Sequence, residues 1–188
     1  MTGSVLRLVD ATASRFPDDP QLLERVLQPY KPHCRYLTSS SMTVRNGLAS
    51  ARGEFQVDSA ESILDTGKLD AMEFSICYEQ LVRYLIAKSI KERAVPALAG
   101  WATDDYWVRQ LPEMLIVRFN SAFRSPIDSS SFGGEVDLVS FTESAVRRPV
   151  LLAETTCRFW DGRGGRADGE ILLALLDSPD PRSERKVA

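Results

Sequence analysis

The sequence predicts a single α+β domain in which one antiparallel sheet wraps around a long apolar helix. Three observations lead to this prediction: a hairpin signal, one long helical stretch that is apolar on nearly every side, and a run of strand-like segments after it. The chain has 188 residues, which is enough for one domain and short for two. We expect the domain to span residues 20–177, with flexible tails at residues 1–19 and 178–188.

Two elements are predicted ahead of the long helix. Residues 20–28 carry apolar side chains at helical spacing and are followed by a proline, which indicates a short amphipathic helix. Residues 35–45 and 48–57 have the composition of strands and flank Asn46-Gly47. Because Asn-Gly accepts the positive φ angles of a type I′ turn, we predict a β-hairpin here.

The long helix is predicted at residues 68–92, a stretch without Gly or Pro that makes about six helical turns. Its apolar residues cover nearly the whole circumference, and a helix that is apolar all round is buried. Such a helix also needs cover on the side that the sheet leaves open. We therefore expect a homodimer or a higher homo-oligomer.

A loop with room for a short helix is predicted at residues 94–112. The strands predicted after it lie at residues 114–123, 132–145, 149–160 and 167–177. Strands adjacent in sequence usually pair antiparallel through short links. One antiparallel sheet around a single apolar helix satisfies both patterns, and this arrangement is the hot-dog fold. The Gly-Arg-Gly-Gly run at residues 162–165 lacks the spacing and the lysine of a phosphate-binding loop, so we expect a hairpin loop there.

Composition narrows the classes of function. The net charge is -3 and no Lys/Arg-rich run is present, which argues against nucleic-acid or membrane partners. The first residues lack a signal-peptide pattern, and no apolar run approaches the length of about 18 residues that a spanning helix needs, so we expect a cytoplasmic protein. Cys34, Cys77 and Cys157 are far apart in sequence and are expected to be reduced thiols. With His33 as the sole histidine, we expect neither a metal site nor a catalytic triad, and we expect no cofactor.

Four charged residues interrupt the apolar helix, namely Asp70, Glu73, Glu79 and Arg83. A buried charge is expensive, so each needs a partner or a purpose. In the structural interpretation Asp70 is the N-cap with Glu73 as its capping-box partner, and Glu79 pairs with Arg83 at i, i+4 spacing. In the functional interpretation the helix N-terminus, reached through Gly67, binds a developing oxyanion with its N–H groups. The carboxylates would then activate water or an amine beside a polarised thioester carbonyl.

Further candidates flank this helix and its approach. Tyr30 either donates a hydrogen bond into the site or packs on the sheet edge. Lys68, at the helix entrance, either holds an anionic substrate group or is solvated. We assign catalysis to Asp70, Glu79 and Tyr30, and substrate binding to Lys68, Gly67, Ser62, Glu73 and His33.

Six segments carry a resemblance to a known family over about residues 20–177. They are LLERVLQPY (22–30), CRYL (34–37), TGKLDAMEFSICYEQL (66–81), GWATDDY (100–106), FRSP (123–126) and FWDGRGGRADGEI (159–171). In these segments the chain resembles the actinobacterial type III fatty acyl thioesterase homologues. These are hot-dog proteins found with enzymes that make isonitrile lipopeptides and β-amino-acid starter units.

The resemblance implies a specific reaction. Members of the group add glycine to the β-carbon of an α,β-unsaturated acyl thioester on an acyl carrier protein, and the thioester is then hydrolysed. The product is a free N-carboxymethyl-3-amino acid. Mycobacterial members imply the alternative of a long-chain acyl-CoA thioesterase without glycine addition. An acyl-binding scaffold without turnover remains a third alternative.

The resemblance also bears on individual positions. Tyr30 matches a family tyrosine that follows a proline. Asp70 and Glu79 stand where the family has asparagines, which makes this site more acidic and suits it to deprotonating an amine. Ser62 stands at a family tyrosine, and Lys68 at a histidine of the mycobacterial sequence.

These assignments lead to a predicted mechanism. One of the two catalytic carboxylates takes a proton from the glycine ammonium group. Lys68, or alternatively Arg118 or Arg124, holds the glycine carboxylate. Backbone N–H groups at residues 67–70 stabilise the enolate that forms on the thioester oxygen.

Overall fold

In the computed structural model, which describes residues 13–57, 66–144 and 149–176, seven strands form one antiparallel sheet against a long helix. The helices are α1 (Pro20–Leu27), α2 (Ala71–Lys91) and α3 (Thr103–Arg109). The strands are β1 (Ser14–Phe16), β2 (Leu37–Arg45), β3 (Leu48–Phe55), β4 (Met114–Ser125), β5 (Phe132–Ser144), β6 (Val150–Trp160) and β7 (Arg166–Leu176). Their order in the sheet is β1-β2-β3-β5-β6-β7-β4, so α2 carries the chain across to an edge strand. This is the predicted hot-dog fold.

The first hairpin forms as predicted. Asn46 and Gly47 have φ angles of 54° and 76°, the left-handed conformations that a type I′ turn requires. Strands β2 and β3 pair antiparallel on either side of the turn, with Arg45 opposite Leu48.

Strand β1 differs from the prediction, which placed residues 1–19 in a tail. Ser14–Phe16 pair antiparallel with β2, and the Asp18 carboxylate accepts a hydrogen bond of 3.3 Å from the Ser40 N–H. Three residues are too few to show an alternating pattern, so this strand depends on a partner that lies far along the chain.

Helix α2 is buried as the sequence indicated, because strands from both halves of the sheet contact it. Phe74 packs edge-on against Phe159 of β6 and Phe119 of β4, with ring centroids 4.9 and 5.9 Å away. Farther along, the Tyr84 hydroxyl donates to the carbonyl of Ser40 in β2. Every residue from 80 to 90 is buried. The sheet therefore wraps around the second half of the helix.

The first half of α2 is covered on one side only. Met72 is 57% exposed, and Ile76 and Glu79 are half-buried. These positions are spaced i, i+4 and i+7, so they form one stripe on the helix. In the edge strand β4, Leu115, which lines one cavity with Glu79, and Val117 are exposed as well. The open face of α2 thus lies next to β4, which is an edge strand among the described residues.

The β6–β7 loop at residues 161–165 is a hairpin loop, as predicted, and it supports the entrance to α2. The Asp161 carboxylate accepts hydrogen bonds of 2.7 Å from the N–H groups of Asp128 and Gly165. A Cβ atom at Gly165 would lie 2.3 Å from the carbonyl oxygen of Pro126, so glycine is required for this contact. The neighbouring carbonyl of Ile127 accepts from the N–H of Leu69.

Two further predictions from the sequence concern the state of the cysteines and whether a helix could cross a membrane. All three cysteines lie within the described ranges and are free thiols, as predicted. None of the helices in those ranges combines the length and the apolar character that crossing a bilayer demands.

Candidate functional site

Tyr30, Glu79 and Arg83 meet where the segment after α1 crosses the middle of α2. Oε2 of Glu79 lies 3.8 Å from Nη2 of Arg83, which confirms the predicted i, i+4 pair. The Tyr30 hydroxyl is buried, and the charges of both side chains reach it. It makes no hydrogen bond of standard geometry with any described residue. The structure therefore brings together two of the three predicted catalytic residues.

The surroundings keep Tyr30 protonated. Burial raises the pKa of its hydroxyl most, the Arg83 charge lowers it, and the Glu79 charge raises it, to about 12 in sum. A neutral phenol at this position can donate a hydrogen bond throughout the physiological pH range.

Glu79 and Arg83 line a cavity of about 230 Å³. The other lining residues are apolar: Val82, Met114, Leu115, Ile116 and Leu173. The Glu79 side chain is 35% exposed and that of Arg83 10%. A small, mostly apolar cleft with a few convergent polar groups has the usual form of a ligand site.

Helix α3 and the residue behind it close the cluster from the other side. Nη1 of Arg83 donates to the carbonyl of Gln110, and the Tyr106 hydroxyl donates to the Arg83 carbonyl at 2.9 Å. Several buried polar atoms here have no partner among the described residues, including Arg83 Nε, Gln110 Oε1 and Trp107 Nε1. Each such atom costs about 1–3 kcal/mol, and a group of them is unusual in a purely structural core.

Gln80 fixes the segment that carries Tyr30. Its Oε1 accepts from the N–H groups of Tyr36 and Leu37 at 3.0 and 2.9 Å, and its Nε2 donates to the Cys34 carbonyl at 2.6 Å. Gln80 is fully buried. The sequence analysis missed this residue, although a lone amide inside an apolar helical stretch is a signal that it must bind something.

The start of α2 is built as a capping box. The Asp70 carboxylate accepts from the Glu73 N–H at 2.8 Å, and the Glu73 carboxylate accepts from the Asp70 N–H at 3.1 Å. This confirms the structural interpretation of both residues, and it explains why the helix begins at residue 71 rather than 68.

The predicted oxyanion site at residues 67–70 is wrong at two of its four N–H groups. The Leu69 N–H donates to Ile127 and the Asp70 N–H donates to Glu73, so both groups are already used. The first intrahelical bond runs from Phe74 to the Asp70 carbonyl. The amides that the helix itself leaves over are therefore those of Ala71 and Met72.

Gly67 and Lys68 are exposed at the helix entrance. Gly67 has a φ of 65° with no atom within 4 Å of a Cβ, so its backbone conformation, not lack of space, favours glycine. Lys68 forms a bridge opposite Asp128. This group of predicted residues stands apart from Glu79, because nine residues of helix separate Asp70 from Glu79 by about 13 Å.

The remaining predicted residues fall elsewhere. His33 is exposed in a 3₁₀ turn, Pro32–Cys34, just after Tyr30. Ser62 lies outside the described residues. Arg118 and Arg124, predicted as alternatives to Lys68 for holding the glycine carboxylate, both lie on the outer face of the sheet.

The register of β4 explains that correction. Phe119 and Phe123 contact Phe74 of the helix, so the residues beside them point away from it. Arg124 instead donates two hydrogen bonds of 2.9 Å to Asp168. Arg118 lines an outer cavity with Glu154 and Glu170.

Comparison with known proteins places these features in context. Residues 25–175 match a family model described as the FcoT-like thioesterase domain. A (2E)-enoyl-ACP glycyltransferase of Streptomyces coeruleorubidus is 44% identical over 163 residues, covering 86% of this chain and 99% of the relative. A protein of the same name from Mycobacterium tuberculosis is 32% identical over 175 residues, covering 90% and 93%. A solved structure from Syntrophus aciditrophicus, provisionally described as a thioesterase, aligns with a TM-score of 0.50 at 8% identity over 82% of this chain and 94% of its own, which shows the shared fold.

Proposed function

The chain belongs to the FcoT-like thioesterase family, and from this premise we propose that it adds glycine to the β-carbon of a (2E)-enoyl thioester on an acyl carrier protein. Hydrolysis of the thioester then releases an N-carboxymethyl-3-amino acid and the carrier thiol. One observation carries the proposal: a carboxylate and a guanidinium, Glu79 and Arg83, line one small cavity, and the neutral phenol of Tyr30 is buried against both of them.

Glu79 is the proposed base. Glycine at neutral pH carries an ammonium group, and only its free amine attacks carbon. Glu79 takes one proton from that ammonium group, and the amine nitrogen then bonds to the β-carbon while the π electrons move to the thioester oxygen. The proton held by Glu79 passes to the α-carbon, which restores the carboxylate and the thioester carbonyl.

Tyr30 is the proposed partner of the developing enolate. Its hydroxyl is buried and protonated, and its contacts with Glu79 and Arg83 fall outside standard hydrogen-bond geometry, so it can turn to donate to the oxygen on which charge accumulates. In the second step Glu79 takes a proton from water, the water oxygen attacks the thioester carbon, and the carrier thiol leaves with that proton.

The residues at the start of α2 have a supporting role in this proposal. Asp70 and Glu73 begin the helix that carries Glu79, and their carboxylates are engaged in the capping box. Lys68, Gly67, His33 and Ser62 remain predicted substrate-binding residues.

We also propose that the chain acts as a homodimer or a higher homo-oligomer. The exposed apolar side chains of Met72, Leu115 and Val117 lie along the open face of α2 and the free edge of β4, and a second copy would cover them. Light scattering tests this proposal: a monomer at micromolar concentration contradicts it. We further propose a cytoplasmic location, with which the three free thiols agree.

Mass spectrometry of a crotonyl-carrier-protein reaction tests the function. With glycine we expect a product heavier than crotonic acid by one glycine, and we expect thiol release to depend on glycine. Release at full rate without glycine would instead support the simple acyl thioesterase.

The Glu79→Gln variant tests the base. We expect its turnover to fall about 100-fold or more, because a neutral amide cannot take the proton. Glu154→Gln, which removes a carboxylate from the outer sheet face, is the matched control and should retain the wild-type rate. Wild-type turnover in Glu79→Gln would remove the residue from the mechanism.

A further inference from the structure

Arg83 is a buried cation whose ion pair with Glu79 is long. Among the described residues the buried cations are Arg83 and Lys88, which are 8% and 4% exposed. Lys88 Nζ lies 3.1 Å from Asp19 and 3.0 Å from Glu92, so two carboxylates share its charge. The ion pair of Arg83 with Glu79 is 3.8 Å long, beyond hydrogen-bonding distance.

One edge of the Arg83 guanidinium lacks a hydrogen-bond acceptor. Its Nη1 is anchored to the carbonyl of Gln110. Its Nε has no hydrogen-bond partner among the described residues, Nη2 lies 3.8 Å from Glu79, and the hydroxyl of Tyr30 is a further polar neighbour of the group. The N–H bonds of Nε and Nη2 are parallel, and carboxylates bind this edge of arginine through two hydrogen bonds. The group is thus fixed at one end and unsatisfied at the other.

The cavity beside Arg83 sets the size and charge of what can bind there. Of its lining residues, Arg83 is the cation and Glu79 the anion, and the rest are apolar. A volume of about 230 Å³ leaves room for a small amino acid next to the reacting carbons of an acyl chain. A carboxylate in such apolar surroundings needs a cationic partner. An α-amino acid has its ammonium and carboxylate groups one carbon apart, which matches a Glu–Arg pair 3.8 Å apart.

We propose that Arg83 binds the carboxylate of the glycine that Glu79 deprotonates, and so makes the reaction selective for an α-amino acid over a simple amine. This inference rests on the proposed function and names the residue that recognises its second substrate. It replaces Arg118 and Arg124, which lie on the wrong face of the sheet, and it assigns Lys68 no part in holding glycine.

The first test uses the wild-type protein and changes the amine. Crotonyl-carrier-protein is offered glycine or glycinamide, and kcat/KM is measured for each by mass spectrometry of the adduct. Glycinamide is the less basic amine, so more of it is free at neutral pH, and without carboxylate recognition it would react at least as fast. We expect it to be about 100-fold poorer, the loss typical of a buried charge without its partner. Equal values would overturn the proposal.

The second test combines the same amines with variants. In Arg83→Met the preference for glycine should fall to within about 3-fold, mainly through a higher KM for glycine, since the carboxylate loses its cation. Arg83→Lys keeps the positive charge but loses the two parallel N–H donors. Its preference for glycine should therefore lie between those of the wild type and Arg83→Met. Arg118→Gln, which removes an arginine from the outer face, is the control and should keep the full preference.

The outcomes separate the two proposals. If the wild type forms no glycine adduct, the proposed function fails and this inference fails with it. If the wild type forms the adduct but folded Arg83→Met keeps the full preference, Arg83 is merely structural and only the inference fails. Should Arg83→Met not fold by circular dichroism, the Arg83→Lys preference decides: a value equal to wild type overturns the proposal.

Discussion

Gln80 Nε2 lies 2.6 Å from the carbonyl oxygen of Cys34, and this contact ties the helix that carries Glu79 to the segment that carries Tyr30. The same amide accepts two more hydrogen bonds from the chain just beyond. Tyr30 and Glu79 are 49 residues apart in sequence, so their meeting depends on this junction. A buried side chain without any proposed chemical role therefore sets the geometry of the site.

Replacing Gln80 should be costly. Gln80→Leu leaves two N–H groups and one carbonyl without partners, and we expect a loss of about 2–4 kcal/mol in the free energy of unfolding, measured with urea. Gln80→Glu keeps the acceptor for the N–H groups of Tyr36 and Leu37 but buries a carboxyl group against the Cys34 carbonyl, so it should also be destabilised. A loss below about 1 kcal/mol in Gln80→Leu would show that these hydrogen bonds do not matter.

Tyr30→Phe should separate activity from stability. We expect the rate of glycine addition to fall about 100-fold, as is usual when one donor to a developing oxyanion is removed. Stability should change by no more than about 1 kcal/mol, because the lost hydroxyl is buried and makes no hydrogen bond of standard geometry with a described residue. Tyr106→Phe is the opposite control, since it breaks the hydrogen bond to the Arg83 carbonyl and should destabilise the protein. A wild-type rate in Tyr30→Phe would exclude Tyr30 from catalysis.

Asp70 should prove to be a cap rather than a base. Asp70→Ala should lower the free energy of unfolding by about 1–2 kcal/mol. Asparagine can also cap a helix, so Asp70→Asn should lower it by only about 0.3 kcal/mol. Turnover in Asp70→Asn should stay near wild type, because its carboxylate is bound in the capping box and far along α2 from Glu79. A loss of turnover as large as that of Glu79→Gln would make Asp70 catalytic.

The stability of the protein in acid should depend on Asp19. Burial raises the pKa of its carboxyl, but hydrogen bonds from Lys91 and Lys88 outweigh this and lower it to about 2. The unfolded chain has the higher pKa, about 3.9, and takes up the proton first as the pH falls. The stabilisation by Asp19 is therefore complete above that value and is lost as the pH falls from about 4 to about 2.

Asp19→Asn isolates this effect, because asparagine can keep the N-cap bond to Leu22 but not the ion pairs. The free energy of unfolding, measured by urea titration at several pH values, should fall less steeply between about pH 4 and about pH 2 in this variant than in the wild type. If the free energy of unfolding depends on pH in the same way in both proteins, titratable groups other than Asp19 cause the loss of stability in acid.

The local sequence pattern predicted most of the fold but fewer of the contacts in the candidate site. The hairpin at Asn46-Gly47 and the buried helix α2 follow from signals within a few residues, and both are as predicted. The capping box was one of two interpretations that the same residues allowed, and only its geometry decides between them. The directions of Arg118 and Arg124 escaped prediction, because β4 shifts register between Ile116 and Arg118 and a one-residue shift reverses every face beyond it.

The hydrogen bonds around Asp161 have a consequence for redesigning the enzyme. The turn between β6 and β7, the loop at residues 126–129 and the residues ahead of α2 are joined by successive hydrogen bonds, with no space for a methyl group at Gly165. Changing the shape of that end would require two loops to be varied together. The cavity at Glu79 is walled by side chains of the helix and two strands, so its shape can be altered one substitution at a time.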